Sequence, residues 1–531
     1  MTLTTSYWPA DTSEPVLEAT VGEILRDAAA TVPDRIALVA GGPGPAPRRR
    51  WTYAEMLAQS EAVAHALLAR FQPGERVAVW APNLPEWVLL EFGAALAGVV
   101  LVTVNPAYRA KELAYVLRQS RASGIFLVDE FRGNPMAASL AEVHADLPDL
   151  GHVVRFAEWD DFMDGGAAGD LPMVRPEDPA QIQYTSGTTG FPKGALLHHR
   201  GIVNNARLTA LRFEVGDGDV WLNPMPLFHT GGCVLAALGT VWGRATHIPL
   251  LAFDPGLVLE LIETERIDLM GGVPTMLIAM MEHPDFATRD LSSLRAVLSG
   301  GSTVPAELVR RIEAGVGVRF GIVFGQTEAS PVITQTCLDD TPEDKAETIG
   351  RPQPQQDVKI VDPESGQTVP VDAIGEICAR GYNVMLGYFD MPEATAETVD
   401  ADGWLHTGDL ATMDERGYCR IVGRLKDMII RGGENIYPRE VEELLFTHPA
   451  VADVAVLGIP DPLMGEEVAC VVRLAPGHDH VTAIDLRSFV RERLAPQKAP
   501  RRWAFVDEFP QTPSGKIQKF VLRDRFVAGD L

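Results

Sequence analysis

The chain of 531 residues is poor in cysteine, and its few cysteines form no pattern. The five thiols are far apart, and no two make a CxxC pair of the kind that binds zinc or performs redox chemistry. They stand at Cys233, Cys337, Cys378, Cys419 and Cys470. Scattered cysteines of odd number are typical of a reducing compartment, and a cytoplasmic location is expected.

Positive charge is also scarce. Lys and Arg number 46 against 72 Asp and Glu, for a formal net charge of −26. A surface this acidic repels nucleic acid and anionic membranes, which argues against both as main partners. A small anionic ligand is still allowed, because backbone dipoles and a few lysines can override the overall field locally.

Long apolar runs are missing as well. The longest, "FGAALAGVVLVTV" from Phe92 to Val104, is shorter than the ~20 residues that a membrane-spanning helix needs. Its alanine-rich first half predicts a buried helix, and its β-branched second half predicts a buried strand. The N-terminal "MTLTTSYWPADTSEP" has neither a basic region nor an apolar run, so no secretory signal is expected and no integral membrane segment is predicted.

Helix and strand patterns alternate in the first four-fifths of the chain. "YAEMLAQSEAVAHALLARF" has a helical pattern, "RVAVWAP" that of a strand, and "PEWVLLEFGAALAG" again that of a helix. Such alternation predicts an α/β fold with mostly parallel sheets. We therefore expect a large N-terminal domain, residues 1–425, built of layered α/β subdomains.

The pattern changes near Gly423. A helix is expected to begin at Pro438, two strands follow it, and "DLRSFVRERL" predicts another helix with Asp485 as its cap. We expect a small α+β C-terminal domain, residues 426–531, with the boundary at Lys426.

The segment "YTSGTTGFPKG", Tyr184–Gly194, is unsuited to regular structure. Its glycines let backbone N–H groups turn towards one point, and its hydroxyls add further donors there. That combination suits a ligand rich in oxyanions, such as a polyphosphate. The spacing is not that of a Walker A loop. Strand-like "QIQY" precedes the loop, and strand-like "ALLHH" follows it.

Six further segments follow this loop along the chain. They are "PMPLFHTGG" (224–232), "SGGSTVP" (299–305), "FGQTEAS" (324–330), "GWLHTGDL" (403–410), "GRLKDMIIRGGENIYPREVE" (423–442) and "PQTPSGKIQK" (510–519). With the loop, the set resembles the ordered motifs of the adenylate-forming, or AMP-binding, enzymes, which include acyl-CoA synthetases, adenylation domains and luciferases. The resemblance covers roughly residues 51–519.

The resemblance implies an enzyme with two half-reactions. A carboxylate first attacks the α-phosphate of ATP, giving an acyl-adenylate and pyrophosphate; a thiol then takes the acyl group and releases AMP. Both reactants of the first step are anions, so cations and oriented dipoles must bring them together. ATP, Mg²⁺ and CoA are the expected cofactors.

The resemblance also assigns the nucleotide contacts. The phosphate-binding residues are expected to be Thr185, Ser186, Gly187, Thr188, Thr189, Gly190 and Lys193. The expected hydroxyl contacts among them are Ser186 and Thr188. Thr188 is also counted as catalytic. Glu328 is the expected Mg²⁺ ligand, and Thr327 would face the α-phosphate. The adenine is expected to contact Phe324, Gly301 and Ser302, and Gly325 is also expected at the nucleotide. Asp409 is expected to accept both ribose hydroxyls, and Arg424 is expected to be a second ribose contact or a phosphate contact.

The expected transition-state residue is Lys516, whose ammonium would bridge the carboxylate and the α-phosphate. In the family the C-terminal domain rotates between the two half-reactions, and Lys426 is expected to be the hinge. After rotation Gly432 and Gly433 would approach the pantetheine of CoA closely.

His229 is expected at the acyl pocket and is also counted as catalytic. The other expected walls are 271–276, 300–301 and 329–334, which are apolar or small and offer no aspartate for an α-amino group. An uncharged pocket favours aliphatic or aryl acids. The segment 104–117 resembles the medium- and long-chain fatty acyl-CoA synthetases.

The leading hypothesis is therefore a fatty acyl-CoA synthetase. The alternative is an adenylating ligase of specialised metabolism that uses an aryl or unusual acid and a carrier protein or other nucleophile. A catalytically silent nucleotide-binding protein would be expected to lack Lys516, Glu328 or Asp409, and all three are present. A homodimer and an acyl carrier protein are candidate partners, both by resemblance.

Overall fold

The structure is a computed structural model that describes residues 2–43, 47–166, 169–185, 192–301, 304, 306–511 and 517–531. It contains two compact units. The large unit comprises Trp8–Val358 and Ala379–His406, and the small unit comprises Met1–Tyr7, Lys359–Cys378 and Thr407–Leu531.

The α-helices are numbered in chain order. They are α1 Val21–Thr31, α2 Tyr53–Leu68, α3 Pro85–Ala97, α4 Ala110–Gln119, α5 Met136–Val143, α6 Trp159–Met163, α7 His199–Arg212, α8 Gly239–Gly243, α9 Pro255–Thr264, α10 Pro274–Glu282, α11 Ala306–Val316, α12 Pro342–Glu347, α13 Pro392–Thr398, α14 Pro438–Phe446, α15 Ala483–Arg491 and α16 Lys519–Ala528. A π-helix spans Gly231–Leu238, and short 3₁₀ turns include Thr327–Ala329.

The strands form four sheets and are numbered in chain order across all of them. The first has the order β19-β9-β8-β5-β4-β6-β7 and the second the order β16-β15-β14-β13-β12-β10-β11-β2-β3. The third has the order β1-β17-β18-β20-β21, and the fourth runs β23-β22-β25-β24 with β26 beside β25. Their bounds are β1 Tyr7–Trp8, β2 Ile36–Val39, β3 Arg50–Thr52, β4 Arg76–Trp80, β5 Val100–Thr103, β6 Gly124–Leu127, β7 His152–Arg155, β8 Pro179–Tyr184, β9 Gly194–His198, β10 Val220–Asn223, β11 Thr246–Pro249, β12 Leu269–Gly271, β13 Ala296–Gly300, β14 Arg319–Gly325, β15 Val332–Gln335, β16 Arg351–Pro352, β17 Gln356–Val361, β18 Gly375–Gly381, β19 Gly387–Tyr388, β20 Leu405–Met413, β21 Cys419–Arg424, β22 Ile429–Arg431, β23 Glu434–Ile436, β24 Val451–Asp461, β25 Gly465–Leu474 and β26 Arg502–Phe505.

The centres of the first two sheets are parallel, as the alternating pattern predicts. In the first sheet β8, β5, β4, β6 and β7 pair in parallel, and β9 and β19 continue the sheet antiparallel. In the second sheet the run from β14 to β2 is parallel, and antiparallel strands lie at both edges. The predicted α/β fold class is confirmed.

Both faces of the first sheet are buried, and β4 shows why four apolar residues, Val77 to Trp80, follow one another in its sequence. Val77 and Val79 join the hydrophobic cluster that contains α2 and α3, whereas Ala78 and Trp80 join the cluster that contains α4 and α5. Successive side chains of a strand point to opposite faces, so the part of a strand that helices cover on both sides needs apolar residues on both faces.

The fourth sheet belongs to the small unit and repeats this arrangement on a smaller scale. Alternate residues of β24 and β25 pack against α14 and α15 on one face and against α16 on the other. The predicted cap of α15 is wrong: Thr482 is the N-cap, and Asp485 is the third helical residue. The two form a capping box, in which each side chain accepts a bond from the other's backbone N–H.

No helix within the described ranges combines the length and the apolar character needed to span a membrane. All five cysteines lie within those ranges and are free thiols.

Candidate active site

The predicted phosphate-binding segment connects two hydrogen-bonded strands. The antiparallel β8 and β9 pair Tyr184 with Gly194, and the Thr185 N–H donates to the Lys193 carbonyl at 3.0 Å. The sheet therefore holds both ends of the segment. Five of its predicted contacts, Ser186, Gly187, Thr188, Thr189 and Gly190, lie outside the described residues, and their roles remain predictions.

Glu328 lies on a tight fold of the chain that follows β14. The Gln326 N–H donates to the Pro331 carbonyl at 2.9 Å, so the chain returns on itself around the 3₁₀ turn that carries Thr327 and Glu328. Gly325 makes this possible, because a Cβ there would lie 1.9 Å from the Pro331 carbonyl oxygen. The glycine of "FGQTE" is required by this close backbone approach.

Tyr388 joins Glu328 to Lys193, and the sequence analysis missed it. Its hydroxyl donates to Glu328 Oε1 at 2.6 Å, and the Lys193 Nζ lies 4.8 Å from the centroid of its ring. Both Tyr388 and Glu328 are buried. Lys193 and Glu328, which are 135 positions apart in the chain, thus both contact one aromatic side chain, Glu328 at its hydroxyl and Lys193 at its ring.

Backbone hydrogen bonds place Tyr388 there. Strand β19 pairs antiparallel with β9, with Tyr388 opposite Ala195 and therefore beside Lys193. The Met385 N–H donates to the Glu328 carbonyl at 2.9 Å, and the Phe389 N–H donates to the Gly194 carbonyl at 2.8 Å. A tyrosine between glycine and phenylalanine resembles an ordinary core residue, so the sequence contained no signal for this contact.

The Tyr388 hydroxyl stays protonated. Burial raises its pKa above the ordinary value, and the neighbouring Glu328 raises it further, both through its negative charge and through their hydrogen bond. A neutral hydroxyl can only act as a donor towards a carboxylate, so Tyr388 presents a hydrogen to Glu328.

The Glu328 carboxylate is a suitable ligand for Mg²⁺. Glu328 is a carboxylate that is 8% exposed, and the hydrogen bond from Tyr388 goes to one of its two oxygens. Mg²⁺ is usually held by one or two carboxylates together with water and substrate phosphates. Glu328 is the residue that could hold it here.

The predicted adenine contacts lie at neighbouring strand ends. Parallel β13 and β14 pair Gly300 with Val323, so Gly301, just after β13, and Phe324, near the end of β14, lie at the same edge of the sheet. Gly301 has φ +75°, which favours glycine. The carboxyl ends of parallel strands are the usual ligand edge of an α/β sheet. Ser302 lies outside the described residues.

His229 lies in a loop held from two sides. The Asn83 amide donates to the Met225 carbonyl and accepts from the Leu227 N–H, at 2.9 and 2.8 Å, and the Thr103 hydroxyl donates to the Phe228 carbonyl at 2.9 Å. His229 Nδ1 accepts from the Gly231 N–H at 3.1 Å, at the start of the π-helix. Interruptions of this kind in α-helical geometry are frequent at functional sites.

The other predicted acyl-pocket segments belong to the same sheet. Gly271 ends β12 and Gly300 ends β13, which are neighbouring parallel strands. Residues 329–334 run from the 3₁₀ turn into β15, which pairs with β14. The predicted walls therefore lie at or next to β12, β13 and β15 of one sheet, and their roles remain predictions.

In the small unit the structure brings together Asp409, the predicted ribose contact, and Arg424, the predicted ribose or phosphate contact. Asp409 on β20 is in register with Arg424 on β21, and Arg424 Nε lies 3.0 Å from Asp409 Oδ1. Asp409 is buried, whereas the Arg424 side chain is half exposed. The buried carboxylate is thus fixed by a cation from the neighbouring strand, and the two side chains form one pair.

Gly432 and Gly433 have a structural explanation that needs no ligand. They form the two-residue connection between β22 and β23, with φ of +61° and +85°. A tight hairpin of this kind requires positive φ at both central residues. Their predicted contact with CoA remains a prediction, as does the role of Lys516, which lies outside the described residues.

Comparison with known proteins supports the sequence resemblance. The sequence profile of the AMP-binding enzymes matches residues 25–389, and that of their C-terminal domain matches residues 440–516. YngI of Bacillus subtilis (strain 168), which carries the name of an acyl-CoA synthetase, is 41% identical over 96% of this chain and 98% of its own. The mitochondrial medium-chain acyl-CoA ligase ACSF2 of Danio rerio is 38% identical over 99% of this chain and 91% of its own.

A solved structure extends the comparison to the fold. The crystal structure of the anthranilate CoA ligase AuaEII in complex with anthranoyl-AMP has a TM-score of 0.89 and 27% sequence identity. The match covers 98% of this chain and 99% of that one.

Proposed function

The chain belongs to the AMP-binding enzyme family, and we propose that it is an ATP-dependent, AMP-forming acyl-CoA synthetase. It would activate a carboxylic acid as acyl-AMP with release of pyrophosphate, and then transfer the acyl group to CoA. The acid we favour is a medium- or long-chain fatty acid.

The observation that carries the proposal is the meeting of Lys193, Tyr388 and Glu328 beside the ends of the phosphate segment. An ammonium group there would bind phosphate oxygens, and the hydroxyls of 185–189 would donate to them. When bound at Glu328, Mg²⁺ would neutralise phosphate charge. Preorganised cations and donors of this kind are how an enzyme brings two anionic reactants together.

The remaining roles follow the family pattern and are part of the proposal. Thr327 would face the α-phosphate, Asp409 would bind the ribose, Arg424 would bind the ribose or a phosphate, and Lys516 would stabilise the transition state. The domain of residues 426–531 would turn about Lys426 between the half-reactions. Its rotation would withdraw Lys516 and bring Gly432 and Gly433 to the pantetheine of CoA.

The preference for a fatty acid rests on two supports. The predicted walls, including residues 271–276 and 329–334, have no charged side chain, and ACSF2 of Danio rerio is named for medium-chain acids. The alternative acid is aromatic, because AuaEII is an anthranilate CoA ligase. Transfer to a carrier protein instead of CoA is the alternative second step.

Pyrophosphate exchange tests the proposal. The purified protein is incubated with ATP, labelled pyrophosphate and single acids from a panel of fatty acids, aryl acids and amino acids; CoA is then added and thioester is measured. We expect exchange with medium or long fatty acids and thioester on addition of CoA. Exchange without thioester would reject CoA as the acceptor, and exchange only with aryl acids would select the alternative substrate class.

We also propose that the protein is located in the cytoplasm and forms a homodimer. The five free cysteines support a reducing compartment. Light scattering of the purified protein would determine the oligomeric state.

A further inference from the structure

We propose that Tyr388 is a positioning residue that keeps Lys193 and Glu328 from pairing with each other, so that each stays available to the nucleotide. The inference rests on the proposed function, because it takes phosphate and Mg²⁺ as the ligands of these two groups.

An ammonium and a carboxylate at one site present a conflict. Both groups would have to bind a third partner, yet in its absence they attract each other, and in a partly buried place that attraction is strong. A direct Lys193–Glu328 ion pair would occupy the phosphate donor and the metal ligand together. The ligands would then have to break the pair before they could bind.

Tyr388 gives each charge a different and weaker partner. Its hydroxyl binds the carboxylate at 2.6 Å, and the face of its ring lies 4.8 Å from the ammonium nitrogen. A hydroxyl donor and an aromatic face satisfy the two charges without cancelling them. A single side chain in this position separates the two groups and orients both.

The backbone of Tyr388 is fixed, as a separating residue requires. The Tyr388 N–H donates to the Thr395 hydroxyl at 2.8 Å, and that hydroxyl donates to the Met391 carbonyl at 2.9 Å at the start of α13. Gly387 before it has φ +142°, and a Cβ there would lie 2.9 Å from Thr395 Cγ2. The short strand β19 therefore cannot shift without breaking its contacts with α13 and β9.

Tyr388→Phe separates the two functions of the side chain, because it keeps the ring and removes the hydroxyl. We expect the Mg²⁺ concentration at half-maximal pyrophosphate exchange, and the Kd of Mg·ATP by calorimetry, to rise about 10-fold, the size of a lost hydrogen bond to a charged group. In a Glu328→Gln background the same change should have less than ~3-fold effect, because there is no carboxylate left to orient.

Tyr388→Leu removes the separating ring and tests the central claim. Without Mg²⁺, in the presence of a chelator, we expect calorimetry to show ATP binding weakened about 10-fold, because Lys193 now pairs with Glu328. Adding Glu328→Gln should restore metal-free ATP binding to within ~3-fold of the Glu328→Gln single variant. A purely structural defect would not be repaired by a second substitution.

A matched control comes from Tyr53, another buried tyrosine of the large unit. Its hydroxyl donates to the Ala245 carbonyl at 2.7 Å. Tyr53→Phe should lower the unfolding temperature and leave the Mg²⁺ dependence unchanged. Equal Mg²⁺ dependence in wild type and Tyr388→Phe, or no repair of Tyr388→Leu by Glu328→Gln, would overturn the proposal. A wild-type protein that binds no ATP would instead contradict the proposed function.

Discussion

Gly325→Ala should damage adenylate formation although it adds only one carbon atom. The new Cβ would lie 1.9 Å from the Pro331 carbonyl oxygen and 3.0 Å from the Val332 Cα. The oxygen has to retreat by about 1 Å before the contact is tolerable. The same oxygen accepts a hydrogen bond from the Gln326 N–H at 2.9 Å. Its displacement would therefore break that bond and open the turn that carries Glu328.

The expected size follows from that displacement. Overpacking of this kind costs about 1–3 kcal/mol of stability, and the lost backbone hydrogen bond adds about 1 kcal/mol. A displacement of about 1 Å at a reacting group can reduce the rate about 100-fold. We therefore expect kcat/KM for pyrophosphate exchange to fall about 100-fold, while the protein stays folded at room temperature.

The assay compares pyrophosphate exchange with chemical denaturation for two glycine variants. The control is Gly315→Ala in α11, where an added methyl group meets no described atom within 4 Å. It should keep full activity and gain up to ~1 kcal/mol of stability. If Gly325→Ala retains more than about a third of the wild-type rate, the link from the Pro331 contact to Glu328 is wrong.

Three further predictions concern the small unit and the buried histidines. Lys516→Ala should reduce adenylate formation by ~100-fold or more, whereas thioester formation from supplied acyl-adenylate and CoA should survive; equal loss of both steps would contradict the assigned role. Glu467→Gln should destabilise the small unit by about 3 kcal/mol in urea melts, because Glu467 and Arg431 are both buried and joined at 2.7 and 3.1 Å; an unchanged midpoint would refute this. The free energy of unfolding should also fall by about 3 kcal/mol when the pH is lowered from about 7.5 to about 5.5. The reason is that burial lowers the pKa of His199 to about 4 and of His247 to about 3. Both values lie below that of an unfolded histidine, near 6.5, so the unfolded state takes up protons first as the pH drops; a flat profile would show that these histidines do not remain neutral.

The sequence predicted the elements well, because their signals are local. The alanine-rich and β-branched halves of residues 92–104 became the end of α3 and all of β5. The short runs "QIQY" and "ALLHH" became β8 and β9. The cap of α15 was assigned wrongly because both Thr482 and Asp485 take part in the capping box, and the sequence does not say which of them begins the helix.

The sequence predicted most residues of the candidate site, but it predicted few of the contacts between them. Motif order placed Lys193 and Glu328 in one active site, and the contact through Tyr388 could not be inferred from either motif. The glycines show the same limit. Gly325 was predicted to contact the nucleotide, and that role stays a prediction; its close backbone contact with Pro331 became visible only in the structure.

The sequence by itself determined the family, the alternation of helices and strands, and the residue types of the chemistry, because these depend on motif order, periodicity and side-chain identity. Only the tertiary structure decided which groups meet. Strand β19 comes almost two hundred residues after β9 and still pairs beside it, and this pairing places one tyrosine between an ammonium and a carboxylate. Contacts between residues so far apart depend on sheet order and register, which local patterns do not encode.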